Sequence, residues 1–150
     1  MTPEPFDSAA SESLSRYEAL AVGDELPVLT KGPIERIQLV KYAGASGDFN
    51  PIHVDEPFAR SAGYPSVFAH GMLSMGFLGE LLHAWVDPRQ LRDFGVRFAA
   101  ITWPGDTIRA RARVVRKYLE DGERCVELEV WTENQEGKRT LDGRAVVSLP

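Results

Sequence analysis

An α+β fold, with one long apolar helix wrapped by an antiparallel sheet, follows from three patterns in the chain. Gly71 to Val86 is apolar at Met72, Leu73, Met75, Phe77, Leu78, Leu81, Leu82 and Trp85, leaving a thin polar stripe at Glu80, His83 and Asp87. A helix apolar nearly all round is expected to be buried nearly all round. The segments after it alternate with period two, the mark of half-buried strands. Two turn pairs, Asp121-Gly122 and Glu136-Gly137, divide that alternation into hairpins.

Residues 1–16 are acidic and rich in Ser, Ala and Pro. They lack the basic-then-apolar order of a signal peptide. A flexible leader is expected there, ahead of a single domain over residues 17–150. Leu26 to Thr30 is predicted as a short strand between Gly23-Asp24 and Gly32-Pro33. Ile34, Ile37 and Val40, with Leu39 on the adjoining face, predict a short helix over Ile34 to Ala43. Asn50 to Ser66 reads as a loop carrying a small helix around Pro57 to Ala62.

Three or four strands are expected after the long helix. Ile108, Ala110, Ala112 and Val114 face one way and Arg109, Arg111 and Arg113 the other; Val126, Leu128 and Val130 oppose Glu127, Glu129 and Glu133. Leu141, Ala145, Val147 and Leu149 repeat the pattern. Matching the arginine face to the glutamate face across the first hairpin requires an odd loop, which a three-residue turn with Gly122 in αL supplies. Sheet wrapped around a central helix is the hotdog arrangement.

The chain has 150 residues, 43% of them hydrophobic, which suits one domain with a real core. A net charge of -5 argues against nucleic acid, which needs a basic footprint. No apolar run is long enough to span a bilayer, so no membrane partner is expected. The single Cys125 forms no intrachain disulfide and no clustered Cys/His metal motif accompanies it, which favours a reducing cytoplasm.

The chemistry concentrates in Tyr42-Ala43-Gly44-Ala45-Ser46-Gly47-Asp48-Phe49-Asn50-Pro51-Ile52-His53 and in His70-Gly71-Met72 at the head of the apolar helix. The Asn-Pro step keeps Asp48 and His53 off one regular helix and puts them on a loop that can fold back. A carboxyl and an imidazole around one water are the tools for adding that water to a polarised double bond. A plain turn is the competing reading, because Asp and Asn bond their own backbone and Pro fixes the following φ.

With His53 and His70-Gly71-Met72-Leu73 counted, and Pro104-Gly105-Asp106 further on, the chain resembles the MaoC-like family of (R)-specific enoyl-thioester hydratases and 3-hydroxyacyl-thioester dehydratases. Within it, the chain is similar to the catalytic β subunit of the actinobacterial (3R)-hydroxyacyl carrier-protein dehydratase. Tyr42, Ser46, Gly47, Asp48, Asn50, Pro51, Ile52, His53 and Ala59 fit the family pattern, and Ala45 departs slightly from an aliphatic-or-Gly position. The resemblance implies a hotdog fold and reversible hydration of trans-2-enoyl thioesters to (3R)-3-hydroxyacyl thioesters. The setting would be fatty acyl, polyketide or steroid side-chain metabolism. Acyl-CoA and acyl carrier protein present the same phosphopantetheine thioester, so either is the implied substrate. A hotdog thioesterase and an acyl-binding subunit of a heterodimeric dehydratase are the alternatives.

The resemblance makes Asp48 and His53 the acid-base pair. Asn50, Ser46 and Tyr42 are expected to support it, each with a plain packing or turn-capping role as the alternative. Gly71 opens a helix, where backbone N–H groups lack intrahelical partners and the macrodipole adds positive potential. It is expected to hold the enolate-like oxygen, or else to allow tight packing. Met72, Met75 and Gly79 are expected to line the acyl pocket; many family members carry a serine where Gly79 falls. Asp48, His53 and His70 invite a zinc reading, but their spacing matches no known motif and the family needs no metal or other cofactor. The arginines Arg109, Arg111, Arg113 and Arg116 either ladder with the facing glutamates or meet substrate phosphates. An unpaired sheet edge predicts a homodimer, or a heterodimer with a related hotdog subunit.

Overall fold

The computed structural model describes residues 16–150; the expected leader lies, apart from Arg16, outside them. The elements run β1 (Leu29–Lys31), α1 (Arg36–Ser46), a 3-10 turn (Pro51–His53), α2 (Glu56–Ser61) and α3 (Gly71–Trp85). A second 3-10 turn (Pro88–Gln90) then leads into β2 (Leu91–Phe98), β3 (Ile108–Glu120), β4 (Glu123–Glu133) and β5 (Arg139–Leu149). The five strands form one antiparallel sheet in the order β1-β3-β4-β5-β2. β1 and β2 are its edges, and α3 lies against the face of β3, β4 and β5.

Alternation does what it should. Ile108, Ala110, Ala112 and Val114 of β3, Val126, Leu128 and Val130 of β4, and Leu141, Ala145, Val147 and Leu149 of β5 close on Leu73, Phe77, Leu78, Leu81 and Leu82 of α3. Each Val, Ile, Leu or Phe side chain among them contributes about 1.5–3 kcal/mol on burial. Alanines at 110, 112 and 145 keep the sheet surface low under the helix.

Burial of α3 is one-sided, which corrects the expectation of a helix enclosed nearly all round. Leu73, Ser74, Phe77, Leu78, Leu81 and Leu82 are buried, whereas Met72 is 51% exposed and Gly76, Glu80, His83 and Ala84 face outward. A five-stranded sheet covers only one side of a helix, so an apolar sequence leaves an uncovered stripe.

The first hairpin differs from expectation in its turn. Glu120 pairs with Glu123, so the loop is the two residues Asp121 and Gly122, both at positive φ (50° and 77°), the conformation of a type I′ hairpin. The required shift of parity comes from a bulge between Val114 and Arg116, which leaves an extra residue in one strand. Beyond it Arg113 lies opposite Glu129 and Arg109 opposite Glu133. β2 escaped detection for a similar reason, since its register slips between Leu91 and Asp93 and breaks the alternation at its start.

α1 runs from Arg36 to Ser46, past the expected end at Ala43, so Ser46 sits on a helix and not in a loop. It buries Leu39 and Ala43. Ile37 and Val40, counted with the apolar face, point outward at 54% and 49% exposure. The strand expected at Leu26 to Thr30 is displaced to Leu29–Lys31, with Leu26 buried just ahead of it.

Candidate active site

Gly47 terminates α1 in the left-handed region (φ 75°), its N–H donating to the Ala43 carbonyl. Three short side-chain turns then wind the loop. The Ser46 hydroxyl accepts from the Asp48 N–H, Asp48 Oδ1 from the Asn50 N–H, and Asn50 Oδ1 from the Ile52 N–H, at 3.2, 3.2 and 3.1 Å. Asn50 thereby caps the 3-10 turn that ends at His53, the capping role foreseen as its alternative.

His53 is buried, with 9% of its surface exposed. Its Nδ1 lies 2.7 Å from the Phe68 carbonyl oxygen. A carbonyl only accepts, so Nδ1 carries the proton and Nε2 keeps the lone pair. Burial pushes the His53 pKa below the usual histidine value and the neighbouring His70 adds to this, against the opposing Phe68 carbonyl and Asp48 charge. His53 therefore stands neutral near pH 7, ready to accept a proton.

His70 is the N-cap of α3. Its Nε2–H donates to the Asp48 backbone carbonyl at 3.1 Å. Its ring stacks on His53, centroids 3.7 Å apart and planes at 26°, while Tyr42 meets it edge-on at 4.9 Å. Burial, aided by the Asp48 charge, raises the Tyr42 pKa, so the phenol keeps its proton. One ligand-type atom from each of Asp48, His53 and His70 lies within 4.8 Å of the others. Two water-mediated hydrogen bonds span up to about 5.6 Å, so a single water bridges such a gap.

Gly71 heads α3 beside this cluster. A Cβ there would meet Cε2 and Cζ of Phe98 at 2.7 Å, so the edge of the Phe98 ring occupies the side-chain space. Next to it lies a cavity of about 250 Å³ walled by Gly71, Ser74, Phe68, Phe98, Thr102 and Leu141 among others. Met72, Met75 and Gly79 lie outside that wall; Gly79 has only the Phe94 ring near it, at 3.9 Å from a hypothetical Cβ.

The structure thus brings Asp48, His53, Tyr42 and Gly71 together around His70. It leaves Asp48 exposed, against the partial burial its role calls for, because the whole segment Gly44–Asn50 lies on the surface of the single chain. Phe49 at 69%, Phe98 at 57% and Met72 are apolar and exposed nearby. Phe68, whose carbonyl fixes the tautomer of His53, could not be found from the sequence, since a backbone group leaves no residue signature. The arginine face is laddered: Arg111 pairs with Glu133 at 2.8 Å, Arg113 with Glu129 at 2.5 Å and Arg139 with Glu129 at 2.8 Å. Those two arginines of the stripe are thereby committed to carboxylates.

A sheet of this order across one long helix, with the Asp-Asn-Pro-His turn and a glycine-led helix at one end, defines a hotdog-fold protein of the MaoC type. The sequence profile of the MaoC like domain matches residues 20–135, and the chain belongs to that family. The R-hydratase PhaJ1 from Pseudomonas aeruginosa, in its unliganded form, superposes with a TM-score of 0.77 at 27% identity, over 89% of this chain and 84% of that one. The (R)-hydratase from A. caviae involved in PHA biosynthesis gives 0.76 at 27% identity, over 89% and 99%. Among curated relatives, the peroxisomal enoyl-CoA hydratase 2 of Arabidopsis thaliana is 36% identical over 66 residues, covering 42% of this chain and 21% of its own length. The chain thus spans a small part of the length of such curated relatives.

Proposed function

We propose that the protein is a hydro-lyase that reversibly adds water to a trans-2-enoyl thioester, carried on CoA or acyl carrier protein, to give the (3R)-3-hydroxyacyl thioester. The observation that carries this is the closeness of Asp48 and His53, each with a ligand-type atom within 4.8 Å of the other, at a His53 whose Nδ1–H is held by the Phe68 carbonyl. The two relatives of solved structure are (R)-hydratases by name, which supports the same reaction and stereochemistry here.

In this reading the water sits between Asp48 and His53. Its oxygen bonds to the β-carbon as one of its protons passes to the pair, and the α-carbon takes a proton on the same face. The C=C π bond and one O–H bond of the water break, and one C–O and one C–H bond are formed in net. Charge gathers on the thioester oxygen midway. The first-turn N–H of Gly71 stabilises it there, an effect of about 10²- to 10³-fold for one such donor. The acyl tail follows the uncovered side of α3 past Met72, Met75 and Gly79.

A second hotdog chain, either a copy or a related subunit, completes the enclosure. β2 is an edge strand, and the exposed Phe49, Phe98 and Met72 flank the open Asp48 loop. Covering them would remove apolar surface from water and desolvate Asp48 in one step.

Asp48→Asn and His53→Ala each remove one proton-transfer group and leave the core untouched. Each is expected to cut turnover at least about a hundredfold with the fold retained. Near-native hydration by either variant would refute the assignment.

A further inference from the structure

His70 has 1% of its surface exposed, yet its Nδ1 has no hydrogen-bond partner among the described residues. A buried acceptor left unpaired costs stability, and an apolar ring would fill the same space without that loss. Stability alone therefore does not account for an imidazole here. Its other nitrogen gives a reason. The side-chain turns at Ser46, Asp48 and Asn50 each reach only two residues ahead, so they fix the shape of the loop but not its place. Among the described hydrogen bonds, the one from His70 Nε2–H to the Asp48 carbonyl ties residues 47–50 to the head of α3.

We propose that His70 is a positioning residue for the hydration chemistry inferred above, holding the Asp48 backbone through its Nε2–H and the plane of His53 through its stacked ring. Gly71 is the next residue along the chain, so one side chain sets both proton-transfer groups relative to the N–H that receives the thioester oxygen. The same bond dictates a protonated Nε2 and, in the neutral ring, an unprotonated Nδ1. The groups that face His53 are the Asp48 carboxyl, the Phe68 carbonyl and the His70 ring, with Tyr42 against His70 from α1.

Two substitutions separate the functions of the ring. His70→Phe keeps a stacked ring and removes the donor; His70→Gln keeps a donor and removes the ring. His70→Phe is expected to lower kcat on crotonyl-CoA about ten- to a hundredfold with KM changed by less than about threefold, the pattern of misplaced but intact groups. Its Tm should not fall, because the orphan nitrogen is gone. His70→Gln should recover part of kcat. In substrate-free protein labelled with 15N-histidine, the His53 titration should move upward in His70→Phe and hydrogen exchange at residues 47–50 should quicken.

The substrate-free measurements decide the inference even if the wild-type protein fails to hydrate crotonyl-CoA, an outcome that would refute the proposed function instead. An unmoved His53 titration and unchanged exchange in His70→Phe would overturn the inference. So would wild-type kcat in that variant, or equal losses in both variants accompanied by a fall in Tm.

Discussion

At the scale of single residues, the proposed hydration needs His53 as a buried neutral base. Its pKa lies below the ordinary histidine value of about 6.5, so the acid limb of kcat/KM should fall below pH 6.5 and not at it. The same shift works on stability. The unfolded chain takes up the proton near pH 6.5 while folded His53 still resists it, so the stability present above that pH is lost as the pH falls through the folded pKa. Rate profiles and thermal melts across pH 5–7 check both expectations; an acid limb above pH 7 would contradict them. Gly71→Ala forms a second test. The far end of the Phe98 ring, on a half-exposed side chain, is what an added Cβ would displace. Melting should therefore shift little while turnover drops about tenfold or more as the carbonyl end of the site is crowded. Gly79→Val should lower activity on long enoyl-CoAs more than on crotonyl-CoA, and an equal loss on both would move the acyl tail elsewhere.

Asp48, His53 and Gly71 could be singled out in the sequence because they sit in the segments that carry the family resemblance, and the fold places them close to one another. Two features of the same site could not be. The tautomer of His53 depends on the backbone of Phe68, and the clamp made by His70 depends on a contact 22 residues away in the chain. Long-range backbone partners have no signature in a pattern read locally.

At the scale of elements, the β3–β4 hairpin is the clearest lesson. Period-two patterning correctly assigned Ile108, Ala110, Ala112 and Val114 to one face and the arginines to the other, because burial strongly specifies a strand's faces. Turn length was not recoverable in that way, since a bulge and a three-residue turn solve the same parity problem. The two-residue solution makes a definite demand on Gly122, at φ 77°. Gly122→Ala should cost about 1 kcal/mol, the order of the left-handed penalty for a side chain. The expected fall in Tm is about 2–4 °C for a domain of this size, with activity per folded molecule unchanged. No loss of stability would mean that the turn is not type I′.

In the core, the sequence marked Leu78 as apolar, and the fold buries it completely under the sheet. Leu78→Ala is expected to cost about 2–5 kcal/mol by denaturant unfolding, a value well under 1 kcal/mol implying a loosely packed interface. The open stripe of α3 was misread for a physical reason. A five-stranded sheet covers one side of a helix, and an apolar sequence does not say which side stays open.

At the scale of the whole molecule, the exposed Asp48 loop, the uncovered stripe of α3 and the β2 edge describe one unfinished surface beside the candidate site. Two hotdog chains joined there would finish it, so light scattering of the active protein should give at least a dimer. An active monomer in dilute solution would contradict that assembly. The fold itself was readable in advance because helix burial, strand alternation and turn chemistry all pointed to the same layers. The central claim is hydration at an Asp48–His53 pair, and the most direct measurement of it is incubation of the purified protein with crotonyl-CoA while the conjugated enoyl absorbance and free thiol are followed together. Hydration should give loss of absorbance without thiol release, forming the (3R)-hydroxy product, and Asp48→Asn should abolish that loss. Release of free CoA would make the protein a thioesterase, and no change in either signal would make it a binding subunit; each result would contradict the account.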